Sequence, residues 1–313
     1  MKTKKVDMII CRGSMAAIFG VILNRILGIP FMVESFEPHA NYMTEGGTWK
    51  KNGIEYIFQQ WIENQCLRKA AYLMPVAEGY GEHLVTLGVP KEKILVMPCC
   101  VDTAKFAFSI AAREKIRKKL NISPEMLVGI YVGKFGGIYL DQEAFDIFKK
   151  TYDFFGDRFF LIVLSPQEHE SIKEKLLFQG IPENKVYVNR VDHDDIPLFM
   201  SASDFAFSLV LPIPSMKYCS PVKNGEYWAS GLPILLPEGV GDDDVIARQS
   251  GAGAVYNIEK QNFTESLQEI RSILNCDRSA VARKISPVAD SHRNFNIISN
   301  AYREVLTNWQ LRG

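Results

Sequence analysis

The sequence carries no net charge: 36 lysines and arginines balance 36 aspartates and glutamates. No global field recruits nucleic acid or acidic lipid, so nucleic acid is not an expected partner. C-x-x-C spacing is also missing. Cys11, Cys66, Cys99, Cys100, Cys219 and Cys276 fall in apolar runs instead, which fits buried thiols in a reducing cytoplasm. The adjacent Cys99–Cys100 pair reads as packing rather than redox chemistry. Long apolar runs are absent, the longest being "MAAIFGVIL", far short of the ~20 residues that a spanning helix needs. Lys2, Lys4 and Lys5 imitate the basic start of a signal peptide, but Asp7 and Arg12 interrupt the apolar stretch that should follow. A cytoplasmic protein is expected. Peripheral contact with the inner membrane face through "REKIRKK" (Arg113 to Lys119) competes with a simpler reading of that stretch as a solvated helix face. No H-E-x-x-H, G-x-S-x-G or Walker pattern occurs.

What is present is alternation. The 313 residues, 47% apolar and 23% charged, suffice for two domains with separate cores. "VDMIIC" and "PFMVES" have strand character, and a helical stretch lies between them with Ser14 as N-cap and Gly28 as terminator. Ile54 to Ala71 has helical spacing, with Ile54, Ile57, Phe58, Trp61, Ile62 and Leu67 on one side. "YLMPVA", the helical "GYGEHLVTLG" and "KILVMPC" bring the first domain to about four strands. After the crossing segment "CCVDTAKFAFSIAA", six apolar runs follow: "LVGIYVG", "RFFLIVLS", "KVYVNRV", "DFAFSLV", "PILLP" and "AGAVYN". Apolar strands alternating with helices predict an α/β fold of two Rossmann-like, doubly wound domains, the first incomplete. The expected division is 1–103, 104–289 and a C-terminal helix over 290–313 that packs back toward the first domain.

Two stretches carry candidate chemistry. In "SPVKNGEYWASGLPIL" (Ser220 to Leu235), Ser220 and Pro221 form an N-cap and N1 pair, Gly231 suits the left-handed position past the helix end, and Pro233 starts a strand. Such a helix start attracts anions, and Lys223 adds a full charge. Glu226, one turn on, can accept two hydroxyl hydrogen bonds, as a ribose diol requires. Gly225, costly inside a helix by ~1 kcal/mol, marks a close approach. A capped helix bearing an ordinary i,i+3 ion pair explains the same residues equally well. In "YVGKFGGIYLDQEAF" (131–145), Gly133, Lys134, Gly136 and Gly137 place amides and a cation at the carboxyl end of a parallel strand, where such sheets bind ligands. Together the two stretches read as a diphosphate clamp.

These residues carry a resemblance. "SPVKNGEYWASGLPIL" is similar to the S-P-x-K-x-x-E-Y-x-A-x-G-x-P motif of GT-B glycosyltransferases of the retaining family-four type. "LGVPKEKILVMPCCVDTAKF" resembles that family's G-V-P linker, and "SASDFAFSLVLP" its A-S-D strand end. The resemblance implies that Glu226 holds the nucleotide ribose and that Ser220 and Lys223 lie at the donor phosphates. It also puts Lys134 where the family has an arginine, and makes the turn at Arg190 and Val191 the reader of the base. Glu37 and His39, in "VESFEPHANYM", become acceptor-side candidates. Tyr139 stands at the family's second phosphate lysine, and Tyr218 at the leading Glu of its E-x7-E pair. The family's first domain opens with a Gly-rich turn, for which "CRGS" is the nearest substitute. At ~30 residues per βαβ unit, roughly 80 residues of that domain are missing.

The implied activity is retaining hexosyl transfer from a UDP- or GDP-linked sugar, the donor being a substrate, to a glycan or lipid-linked acceptor. No cofactor or metal is expected, because "GDDD" (Gly241 to Asp244) and "DHDD" (Asp192 to Asp195) read as helix caps. A nucleotide-sugar epimerase of the same fold remains an alternative. So does a non-catalytic or partner-dependent nucleotide-sugar binder with half its site missing. Oligomeric state is not legible.

Overall fold

Two parallel sheets make up the computed structural model, which describes residues 6–259 and 263–310, so Lys2, Lys4 and Lys5 lie outside the described residues. The first half runs β1 (Ile9–Arg12), α1 (Ala17–Leu27), β2 (Phe31–Phe36), α2 (His39–Glu45), α3 (Ile54–Lys69), β3 (Tyr72–Pro75) and α4 (Glu78–Thr86), with strand order β1-β2-β3. The second begins with α5 (Ile110–Lys119), β4 (Leu127–Val132), α6 (Gln142–Phe155), β5 (Phe159–Leu164), α7 (His169–Phe178), β6 (Val186–Asn189), α8 (Ile196–Ala202) and β7 (Phe205–Phe207). It continues with α9 (Val222–Ala229), β8 (Ile234–Pro237), α10 (Asp243–Ser250), β9 (Gly253–Tyr256), α11 (Phe263–Ile273), α12 (Arg278–His292) and α13 (Phe295–Gln310).

All six apolar runs of the second half become strands, in the order β6-β5-β4-β7-β8-β9. β5 is buried along its whole length, as a strand covered on both faces must be. The order reverses between β4 and β7, and the crevice outside the carboxyl ends of those strands is where such sheets take ligands. Trp228 of α9 is fully buried, and its ring N–H donates to the Ala252 carbonyl at 3.1 Å, fixing the helix against the sheet.

Several local expectations are corrected. Ser14 caps nothing: α1 starts at Ala17 with no side-chain cap, although Gly28 ends it in the left-handed conformation at φ 69°. "KILVMPC" forms only a bridge from Ile94 to Leu73, with Leu95 and Met97 donating to Leu73 and Pro75, and the next N–H in that alternation, Cys99, going to the Ser220 hydroxyl. The expected C-terminal helix is broken at Arg293–Asn294, and α13 beyond the break lays Ala301 and Val305 on Met32, Tyr72 and Met74 of the first sheet. Arg113 and Arg117 of "REKIRKK" are not a free basic face. Both pair with Asp204 and donate to carbonyls at the end of α8. Cys276 is exposed, unlike the buried Cys11, Cys66 and Cys219.

The expected helix α3 forms, with most of its apolar stripe turned outward. It buries Gln59, Ile62, Glu63 and Cys66, and leaves Ile54, Ile57, Phe58 and Trp61 exposed. Glu63 is held inward because its carboxylate accepts the Ala40 N–H and the Gln59 amide, both at 3.0 Å, tying α2 to α3. Two satisfied hydrogen bonds make a buried polar pair tolerable, and the apolar stripe is displaced outward.

Candidate active site

The turn after β4 is shaped by its neighbours. A Cβ at Gly133 would stand 2.7 Å from the Tyr131 hydroxyl, so only glycine fits, and that hydroxyl donates to the Lys134 carbonyl. Gly136 and Gly137 take φ of 82° and 67°, the left-handed region that glycine enters without strain. Gln167 clamps Phe135 from the next loop, accepting its N–H at 2.7 Å and donating to its carbonyl at 3.2 Å. Lys134 is left exposed at the groove edge.

Helix α9 brings the second set. Pro221, not Ser220, is its N-cap residue, and the Ser220 hydroxyl is committed elsewhere: it accepts from the Cys99 N–H and from Arg293. Gly231 follows the helix at φ 63°, packed so closely on Ala282 that a Cβ would clash at 2.4 Å. The close approach at Gly225 is made by the protein itself, since a Cβ there would stand 3.1 Å from both Arg293 and Val101. Tyr227 accepts the Val132 N–H at 2.9 Å, locking the helix to the end of β4.

A cavity of about 390 Å³ joins the two sets, lined by Gly133, Lys134, Arg190, Val191 and Lys223. A second, of about 360 Å³, lies between the two halves and holds Glu37, Ser220, Pro221 and Lys223. Lys223, Tyr139 and Val132 line both, so the groove is continuous. Glu226 is nearly buried at 4% exposure and accepts from Lys223 at 2.8 Å, while His193 stands 3.6 Å away on its other oxygen. Lys105 in turn reaches His193 at 3.1 Å and Asp194 at 2.6 Å. His39 is not among the cleft-lining residues. It meets the Trp49 ring edge-on at 5.6 Å and lies 3.7 Å from Glu37. Burial pushes the Tyr139 and Cys99 protons up, so both line the groove as neutral groups at physiological pH.

The acidic triplet has structural work. Asp242 accepts the Glu78 and Gly79 N–H groups at 2.7 and 3.3 Å, capping α4 across the domain boundary rather than its own helix. Asp243 is fully buried against Arg293, with Asn224 donating to it at 2.7 Å. Asp244 accepts the Gly239 N–H at 2.9 Å. Asp195 precedes α8 without a side-chain cap bond.

Three features escaped the sequence. Ser35 lines the cleft at φ 50°, a strained conformation worth about 1–3 kcal/mol for a residue other than glycine, at an irregularity in the β2–β3 pairing. His193 reaches Glu226 from the loop after β6, and "DHDD" had placed it only in a cap. Tyr218 turns away from the groove to stack on Tyr80 and His83 at 4.8 and 5.4 Å.

The chain is similar to known proteins in part of its sequence and in its fold. Residues 2–100 match the "Glycosyl transferase 4-like domain". A curated Escherichia coli relative, UDP-Gal:alpha-D-GlcNAc-diphosphoundecaprenol alpha-1,3-galactosyltransferase, is 23% identical over 290 residues, spanning 88% of this chain and 66% of the relative. The crystal structure of Anabaena Alr3699/HepE in complex with UDP superposes with a TM-score of 0.75 at 15% identity, covering 96% of this chain and 79% of that one. Sucrose-phosphate synthase from Thermosynechococcus elongatus gives 0.68 at 14%, covering 96% and 74%.

Proposed function

We propose that the chain is a GT-B glycosyltransferase of the family-four type, to whose members it is similar, and that it moves a hexose from a nucleotide diphosphate sugar to a lipid-linked or glycan acceptor, with retention. The observation that carries the donor half is convergence. Gly133, Lys134 and Lys223 line one cavity at the switch point of the second sheet, and Glu226, which lines neither cavity, is joined to them through its ion pair with Lys223. The Anabaena neighbour's UDP and UDP-glucose complexes, and the diphosphoundecaprenol acceptor in the E. coli relative's name, support the two substrate classes.

Breaking the glycosidic bond puts negative charge on the leaving diphosphate. Lys134 and Lys223 stabilise that charge as it grows, helped by the Val222 and Lys223 N–H groups at the start of α9, the Asn224 N–H being given to the Pro221 carbonyl at 3.1 Å. Glu226 takes the ribose hydroxyls, and backbone groups at Arg190 and Val191 meet the base. Glu37 faces the same cleft from the first half and is positioned for the acceptor. A donor phosphate oxygen takes the acceptor hydroxyl's proton on the departing face, so no protein nucleophile and no metal is required.

The test is a thermal-shift and calorimetry panel of UDP, UDP-glucose, UDP-galactose and GDP-mannose. A nucleotide-dependent shift is expected in the wild type, and its loss in Glu226→Ala and Lys134→Ala. A shift that survives both substitutions would remove the site assignment. Binding with neither transfer nor hydrolysis would favour a non-catalytic binder.

A further inference from the structure

Helix α3 carries a second stripe, and it is polar. Gln60, Glu63, Asn64, Leu67 and Arg68 recur at i, i+3, i+4, i+7 and i+8, so they share one face of the helix. All five line a cavity of about 700 Å³ in the first half, together with Tyr80 and His83 of α4, Lys93, and Tyr218 from the second half. It is larger than either cleft cavity and shares no lining residue with them.

Its walls hold polar groups that the protein leaves unused. Glu63 is 6% exposed and takes both of its hydrogen bonds, from Ala40 and Gln59, on Oε1. Tyr80 is 4% exposed. Among the described residues neither Glu63 Oε2 nor the Tyr80 hydroxyl has a hydrogen-bond partner, and neither is sealed in the core. Both therefore open onto the cavity that they line. A polar group held this deep is costly until a ligand or water completes it. Tyr218 stacks on Tyr80 at 4.8 Å and on His83 at 5.4 Å, which makes a single aromatic wall. Arg68 and Lys93 form no ion pair among the described residues, so two cations face the cavity without counter-charge. Burial pushes the Glu63 carboxyl above its ordinary value, which lessens its opposition to an anion beside them.

We propose that this cavity binds an acidic saccharide, with its hydroxyls on Glu63, Tyr80 and the Gln60 and Asn64 amides, and its acid group on Arg68 and Lys93. A carboxyl oxygen, a phenol hydroxyl and two amides offer donors and acceptors to neighbouring hydroxyls, and the ring stack beside them suits the apolar C–H face of a pyranose. An apolar ligand would leave those groups unpaired, and a bare anion would leave the aromatic wall uncovered. Carboxylate and phosphate would meet the same two cations. Phe36 and Pro38 line this cavity while Glu37 between them lines the cleft, so the two sites back onto one loop. Binding here needs neither donor nor transfer. The inference goes beyond the proposed function, and either can fail alone.

The experiment is a ligand-observed proton and phosphorus NMR titration of the full chain with glucuronic acid, glucose-6-phosphate, glucose and inorganic phosphate. At least one of the two acidic sugars should bind about tenfold or more tightly than both glucose and phosphate alone, and the tighter of the two names the acid group as carboxylate or phosphate. Arg68→Glu with Lys93→Glu should erase the preference over glucose. Tyr80→Phe, which keeps the ring and removes the hydroxyl, should weaken the preferred sugar about threefold or more. Lys173→Glu, on α7 in the second half, should change nothing. Circular dichroism matching the wild type confirms an intact fold in each variant. Absence of saturable sugar binding, equal affinity for glucose and the acidic sugars, or phosphate binding as tightly as the preferred sugar would overturn the proposal. So would a preference that survives Arg68→Glu with Lys93→Glu.

Discussion

The two sheets of this chain solve burial differently. The second has six strands, a strand order that reverses at β4/β7, and helices whose apolar faces meet it. The first has three strands, an edge strand β1 with Ile10 half in solvent, and two helices that carry apolar side chains outward. Periodicity reports that a helix has an apolar stripe. It does not report where the neighbour lies, and in the first half the stripe and the neighbour are on different sides.

The sharpest way to break the second half is through its buried charge. Asp243→Ala leaves the Arg293 guanidinium without its counter-charge at 2% exposure, and removes the acceptor for Asn224. An orphaned buried charge costs about 3–5 kcal/mol. The urea midpoint should fall accordingly, and because Arg293 also holds Ser220, nucleotide affinity should fall with it. Loss of stability with unchanged affinity would show that α9 is positioned independently of this network.

A purely local change in the same half is Lys223→Ala. Under the proposed function, the charge-assisted bond to Glu226 is exchanged for one to phosphate when donor binds. Losing a bond of that kind weakens binding by about 1.5–3 kcal/mol, or tenfold and upward. Calorimetry with UDP should show it, together with a lower urea midpoint, since the substitution leaves the nearly buried Glu226 carboxylate with His193 at 3.6 Å in place of the ammonium.

The contrast between halves also explains what was legible. Six apolar runs bounded by turns gave six strands, because a strand buried on both faces needs no knowledge of its partner. The turn that carries Lys134 and the helix that carries Lys223 and Glu226 were legible because short-range geometry fixes them; the roles of those side chains are the proposal. Ser220 and Gly225 were misread for one reason: both answer to Arg293, about 70 residues away, at a helix break that periodicity had run straight through. Asp242 likewise caps a helix 164 residues earlier, which no local rule for "GDDD" could show. His193 needed the loop after β6 to be folded beside α9.

Asp242 allows the two halves to be separated. Asp242→Ala removes the acceptor for two N–H groups at the start of α4, and a lost cap costs about 1 kcal/mol. The loss falls on the first half and on the contact between halves. The urea transition should broaden or move by that amount, with nucleotide affinity preserved. An equal loss of affinity would mean that the closed arrangement of the halves is itself part of the donor site.

The smallest expected effect probes the misplaced stripe. Burial pushes the Glu63 carboxyl above its ordinary value of 4.5, a rise that outweighs the hydrogen bonds from Gln59 and Ala40. The native chain therefore holds a proton that the unfolded chain releases, and stability falls as pH rises from the ordinary carboxylate value through the raised one. Glu63→Gln keeps an acceptor for the Ala40 N–H and removes the titration. Thermal melts across the acid range should show a shallower pH slope in the variant, with the two proteins converging at the acid end. An unchanged slope would mean that Glu63 is ionised in the fold, and that α3 buries a true carboxylate beneath its exposed apolar face.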